Sequence, residues 1–142
     1  MTENRRIESL SDVQRLNPGG ERRFHCATHD EIRTGATGDV YFVKTLEVLR
    51  HLGQADTPVV AEVFARRPGV LAGVDEVLTL LADAPVRIWS LDEGSRFAER
   101  EVVLRLEGPY QAFGPYETAL LGMLASASGW ATAAAEAKAA AG

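Results

Sequence analysis

Apolar residues recur at three- and four-residue steps from Phe42 through Val43, Leu46 and Leu49 to Leu52, the spacing of one helix face. Asp39 precedes the run as a candidate N-cap, whose carboxylate can accept a bond from an orphan backbone N–H. Gly53 follows it where a helix C′ glycine is expected. The pattern predicts a helix over Val40–Leu52. Gly35 and Gly38 in front of it permit the turn angles that other residues resist. Tyr41 falls in the first turn, at the edge of the apolar stripe. Its ring can pack into the core or face out as a flat surface, and the residues alone leave both open.

The same reading applied to the rest of the chain predicts alternating helices and strands. Met1 to Gly20 is polar, with one helical turn over Ser11–Leu16, and Arg22–Ala27 reads as a short strand. Thr28 with Glu31 three residues on has capping-box spacing and predicts a short helix ending near Gly35. Val59–Ala65 carries three valines and a phenylalanine, which suit a pleated surface, and Arg66-Arg67-Pro68-Gly69 closes it. Val74–Leu81 predicts a helix whose apolar face holds Val77, Leu78, Leu80 and Leu81, and Pro85 blocks its continuation. Val86–Leu91 and Val102–Glu107 alternate and predict antiparallel strands joined through a loop over 94–100. Pro115 suits a first helical turn. After it, Ala119, Leu120, Met123, Leu124 and Ala127 form a stripe. Gly129 is expected to divide that helix from an alanine-rich one over Trp130–Ala141, with Trp130 as a core anchor. The fold class is α+β: a small, mostly antiparallel sheet covered by helices, with a C-terminal helical hairpin. Residues 1–24 are expected to be a flexible leader or docking arm, and 25–142 the folded domain.

At 142 residues the chain suits one domain with a real core. Its 46% hydrophobic and 25% charged residues are ordinary for a globular protein. A net charge of −5 argues against a nucleic-acid partner. No apolar run approaches the ~18 residues of a membrane span, and the first residues lack the apolar stretch of a signal peptide. Cys26 stands alone, which rules out an intrachain disulfide and fits a reducing cytoplasm.

Candidate chemistry is sparse. His25, Cys26 and His29 lie close together, but His51 is the only further histidine and there is no second cysteine. A zinc site needs at least three ligands and usually four, so no metal site is expected and a free thiol is the simpler reading. Arg66 and Arg67 could meet a phosphate, since a guanidinium matches its geometry, or could be two solvated charges at a strand end. Glu117 and Thr118 open the helix after Pro115, where the helix dipole alone favours a glutamate. Neither phosphate-cradling glycine motif is present, and no nucleophile–base pair can be assigned, so no residue is named as catalytic.

Three stretches together carry a resemblance. They are Ala27-Thr-His-Asp-Glu-Ile32, then Gly35-x-x-x-Asp39-Val-Tyr41-Phe42, and then Glu107-Gly-Pro-Tyr-Gln-Ala-Phe-Gly-Pro-Tyr-Glu-Thr-Ala-Leu-Leu-Gly122. In order and spacing they resemble the N-terminal part of a nicotinate phosphoribosyltransferase, a type II phosphoribosyltransferase, over about His25 to Gly142. The resemblance implies an α+β domain that packs on an α/β barrel holding most of the active site. It implies a homodimer in which each N-terminal domain closes its partner's barrel site. It implies a salvage reaction of nicotinate with phosphoribosyl pyrophosphate that uses ATP and Mg2+, in which this chain without the barrel is inactive and binds neither tightly. By the same resemblance Tyr41 stacks on the pyridine, Asp39 holds its turn, and Thr118 faces the substrate, with Arg66 and Glu117 as further candidates. Quinolinate enzymes resemble Glu-Arg-Thr-Ala-Leu-Asn where this chain has Glu117-Thr118-Ala119-Leu120-Leu121-Gly122. Thr118 in the arginine position favours nicotinate over quinolinate, with a quinolinate enzyme as the alternative. A non-catalytic dimerisation or partner-binding module is the rival of another class.

Overall fold

The computed structural model describes residues 6–15 and 27–142. The candidates His25 and Cys26 and the expected strand Arg22–Ala27, apart from its last residue, lie outside the described residues.

Helices α1 (Leu10–Arg15), α2 (His29–Arg33) and α3 (Val40–His51) come first. The capping box of α2 forms as its spacing predicts: Thr28 Oγ1 accepts from the Glu31 N–H at 3.2 Å and the Glu31 carboxylate accepts from the Thr28 N–H at 2.7 Å. Helix α3 buries Phe42, Val43 and Leu46, and Gly53 beyond its end takes φ +67°. Ahead of them, Ile7 is only 6% exposed. Its N–H bonds the Thr34 carbonyl at 2.6 Å, and the Leu10 N–H bonds the Glu47 carboxylate.

Strand β1 (Pro58–Phe64) pairs antiparallel with β5 (Val102–Pro109), and β5 pairs antiparallel with β3 (Arg87–Ser90) on its other side. The sheet order is therefore β1-β5-β3. The register slips between Val63 and Phe64, and there the alternation of β5 fails, because Val103 and Leu104 are both buried. A second ladder, β2 (Gly69–Val70) with β4 (Arg96–Phe97), was not expected from the sequence. Its strands are two residues long, too short for any period to register. Side chains from the last helix hold it: Thr132 Oγ1 accepts from the Val70 N–H at 2.9 Å, and Ser128 Oγ bonds both the N–H and the carbonyl of Ala72.

Between the ladders lies α4 (Val74–Leu80). After β5 the chain passes through α5 (Tyr110–Phe113) and a 3-10 turn (Gly114–Tyr116) into α6 (Glu117–Ala141). The α+β class and the small antiparallel sheet are as expected. The C-terminal hairpin is not formed, because α6 runs unbroken through Gly129. One glycine costs a helix about 1 kcal/mol, and the alanines around it favour helix strongly enough to carry the chain past. Trp130 is likewise no core anchor. It is 78% exposed, because α6 turns Leu120, Leu124, Ser128 and Thr132 to the rest of the domain, and Trp130, between the last two, falls on the opposite face. The core itself is built from Leu71, Val77, Leu104, Leu106, Phe113 and Leu120 with their neighbours. None of the described helices is long and apolar enough to cross a membrane.

Candidate functional site

The first turn of α3 and the first turn of α6 meet, although 79 residues separate the paired positions. Gly38 makes the approach possible, because a Cβ there would lie 2.7 Å from the Pro115 carbonyl oxygen. Thr118 Oγ1 accepts from the Asp39 N–H at 3.2 Å and donates to Asp39 Oδ2 at 3.1 Å. Asp39 occupies the N-cap position of α3 without capping it through its side chain. Its carboxylate is turned to Thr118 instead, so the N-cap expectation holds for the backbone and fails for the side chain.

Tyr41 follows Asp39 in the first turn of α3. The ring is 55% exposed and rests at 4.1 Å, tilted, against Phe42. Phe42 points in and Tyr41 points out, which settles the choice that the sequence left open. The Thr45 hydroxyl donates to the Tyr41 carbonyl at 2.9 Å one turn later. Tyr110 joins the same edge. Its ring lies over Gly114, where a Cβ would come within 2.5 Å of it. Sequence reasoning did not single out Tyr110. The signal was a tyrosine followed four residues later by a glycine, which leaves room for a ring over a bare backbone.

The edge is electrostatically one-sided. Loss of hydration raises the Glu117 carboxyl above its ordinary range. The Tyr41 phenol is raised by loss of hydration, then by the Asp39 and Glu117 carboxylates. Burial raises Tyr110 and the Thr45 hydroxyl lowers it, while Glu117 and Tyr41 add smaller upward pushes. Lost hydration is the main cause at all three groups, and the Asp39 and Glu117 carboxylates add to it at Tyr41.

The sequence-derived candidates therefore divide. Asp39, Tyr41, Glu117 and Thr118 come together. Arg66 follows β1 and lines a separate cleft with Glu62, Phe64, Glu99, Arg100 and Val102, and neither it nor Arg67 bonds to the Asp39–Thr118 joint. No group of three or more His, Cys, Asp or Glu residues placed to hold a metal occurs among the described residues.

The family described as quinolinate phosphoribosyl transferase, N-terminal domain, matches residues 39–128. That span begins at Asp39 and includes Thr118. Among solved structures the chain is similar to a nicotinate-nucleotide pyrophosphorylase from Pyrococcus furiosus, with 47% identity and a TM-score of 0.75. The match covers 80% of this chain and 30% of that one, so this chain spans about a third of that relative's length. A human nicotinic acid phosphoribosyltransferase shares the fold at 21% identity and a TM-score of 0.64, over 68% of this chain and 27% of that one.

These findings overturn the assignment to nicotinate phosphoribosyltransferase, together with the nicotinate salvage and ligase chemistry attached to it. The assignment leaned on Thr118 standing where quinolinate enzymes resemble an arginine. In the structure Thr118 is spent on Asp39. That bond joins α3 to α6 and gives position 118 a structural role beside any contact with substrate. By the match over residues 39–128, the chain belongs to the quinolinate phosphoribosyl transferase family, as its N-terminal domain.

Proposed function

We propose that this chain is the N-terminal domain of a quinolinate phosphoribosyltransferase and that its Tyr41 edge faces the pyridine. The family match across the Asp39–Thr118 joint carries this reading. In the reaction, the pyridine nitrogen bonds to C1′ of phosphoribosyl pyrophosphate as the bond from C1′ to the pyrophosphate oxygen breaks. Pyrophosphate leaves with the electron pair. The nucleotide named for the Pyrococcus relative is a nicotinate nucleotide, with one carboxyl fewer than quinolinate, so the bond from C2 to its carboxylate also breaks, carbon dioxide leaves, and the electron pair left on C2 takes up a proton from solvent.

The chain's own part is positioning. Tyr41 offers a half-free ring, the size and shape of a stacking partner for a pyridine. Asp39 and Thr118 fix the turn that presents it. Positive charge develops on the ring nitrogen as the new bond forms, and the acidic edge of Asp39 and Glu117 suits that change. Thr118 supplies no cation, so the residue that meets the second carboxylate of quinolinate stands elsewhere in the enzyme. A barrel partner, and a second copy that shares the site, belong to the same proposal.

The test is a chimaera in which residues 27–142 replace the equivalent segment of the Pyrococcus enzyme. The reading expects quinolinate-dependent release of pyrophosphate from phosphoribosyl pyrophosphate. A folded chimaera that releases none, while its unmodified parent does, would contradict it.

A further inference from the structure

Away from the Tyr41 edge, α2, α4 and α6 border an open cleft of about 320 Å3, at the small end of ligand pockets. Its floor is apolar, from Ile32, Leu80 and Met123. Arg33 and His29 stand on the α2 side, and Asp75 and Glu76 on the α4 side. No ion pair links these four side chains to one another or to any other described residue.

Both walls are held by bonds that use none of the four. The Tyr116 hydroxyl donates to the Arg33 carbonyl at 2.9 Å and ties the end of α2 to the turn before α6. The Glu93 carboxylate accepts from the N–H groups of Gly73 and Val74 at 2.7 and 2.8 Å and fixes the start of α4. Gly73, at φ +89°, brings that start against α6, where a Cβ would lie 3.0 Å from the Met123 carbonyl oxygen. The cleft is thus framed before anything enters it, which lowers the ordering cost of binding.

The arrangement is a cation on one side, carboxylates on the other and an apolar floor between. We propose that this cleft binds a small zwitterion with an apolar body, an apolar α-amino acid. Its carboxylate meets Arg33, its ammonium meets Asp75 and Glu76, and its side chain covers Leu80 and Met123. A neutral apolar ligand would leave Arg33, Asp75 and Glu76 unanswered, and a simple anion or cation would answer one wall only. The cleft lies outside the Asp39–Tyr41–Thr118 edge, so this inference is independent of the proposed reaction.

The experiment is a titration of the isotope-labelled 142-residue chain with L-leucine, followed by its amide resonances. Saturable shifts are expected at Ile32, Thr79, Leu80 and Met123. N-acetyl-L-leucine, which lacks the ammonium, and L-leucine methyl ester, which lacks the carboxylate, should each bind about tenfold more weakly. Arg33→Gln and Asp75→Asn, with spectra unchanged outside the cleft, should weaken L-leucine to a similar degree. The proposal is overturned if no saturable shift occurs up to the solubility limit of leucine. It is equally overturned if the ester and the acetyl derivative bind as well as leucine, a comparison that needs no variant to fold.

Discussion

Thr118 Oγ1 bonds Asp39 twice, as acceptor from its backbone N–H and as donor to its carboxylate. One hydroxyl thereby joins the start of α3 to the start of α6. Thr118→Val keeps the shape and removes both bonds. It should destabilise the domain by about 0.5–1.5 kcal/mol, and Thr118→Ser should recover most of the loss. Denaturant unfolding of the three proteins checks this.

The same joint depends on the bare backbone of Gly38. Gly38→Ala would push a methyl group to 2.7 Å from the Pro115 carbonyl oxygen, which is backbone and cannot swing aside. The expected loss is about 1–3 kcal/mol. Gly129→Ala, in open space on α6, should instead stabilise by up to about 1 kcal/mol. Thermal melts of both variants decide between them.

Glu117 supplies a pH dependence. Its folded-state carboxyl is raised by lost hydration, so the folded chain keeps this proton to higher pH than the unfolded chain does. Ionisation therefore subtracts stability as pH rises from the ordinary carboxylate value to the raised one, and the loss is constant above that. Glu117→Gln should be more stable than the parent at neutral pH and lose that advantage in acid, below the unfolded value. Unfolding free energies measured across that window, as the difference between the two proteins, isolate this one group.

Much of the fold was readable in the sequence because the period of the apolar residues was long enough to repeat. Phe42, Leu46 and Leu49 mark α3 over about two turns, and Thr28 with Glu31 marks the start of α2. The β2–β4 ladder was hidden because two-residue strands have no period and are set by Ser128 and Thr132 far along the chain. Gly129 misled because its local preference is outweighed by the alanines around it. At the candidate site, Asp39, Tyr41, Glu117 and Thr118 were named from the sequence. Their mutual contact was not, since nothing local tells residue 39 that residue 118 will meet it. The choice of nicotinate rested on the residue type at position 118 alone, and the match of residues 39–128 to the quinolinate family outweighs it.

Tyr41 gives the most direct test of the claim that this edge serves a pyridine site. The measurement is the melting temperature of Tyr41→Ala together with its quinolinate KM in the chimaera with the Pyrococcus barrel. Because the ring is more than half exposed, the melting temperature should stay within about 2 °C of the parent, whereas Phe42→Ala should lose about 3–5 kcal/mol. The KM should rise by roughly two- to tenfold, the scale of one lost aromatic pair. A large drop in melting temperature with an unchanged KM would contradict the account and make Tyr41 a packing residue.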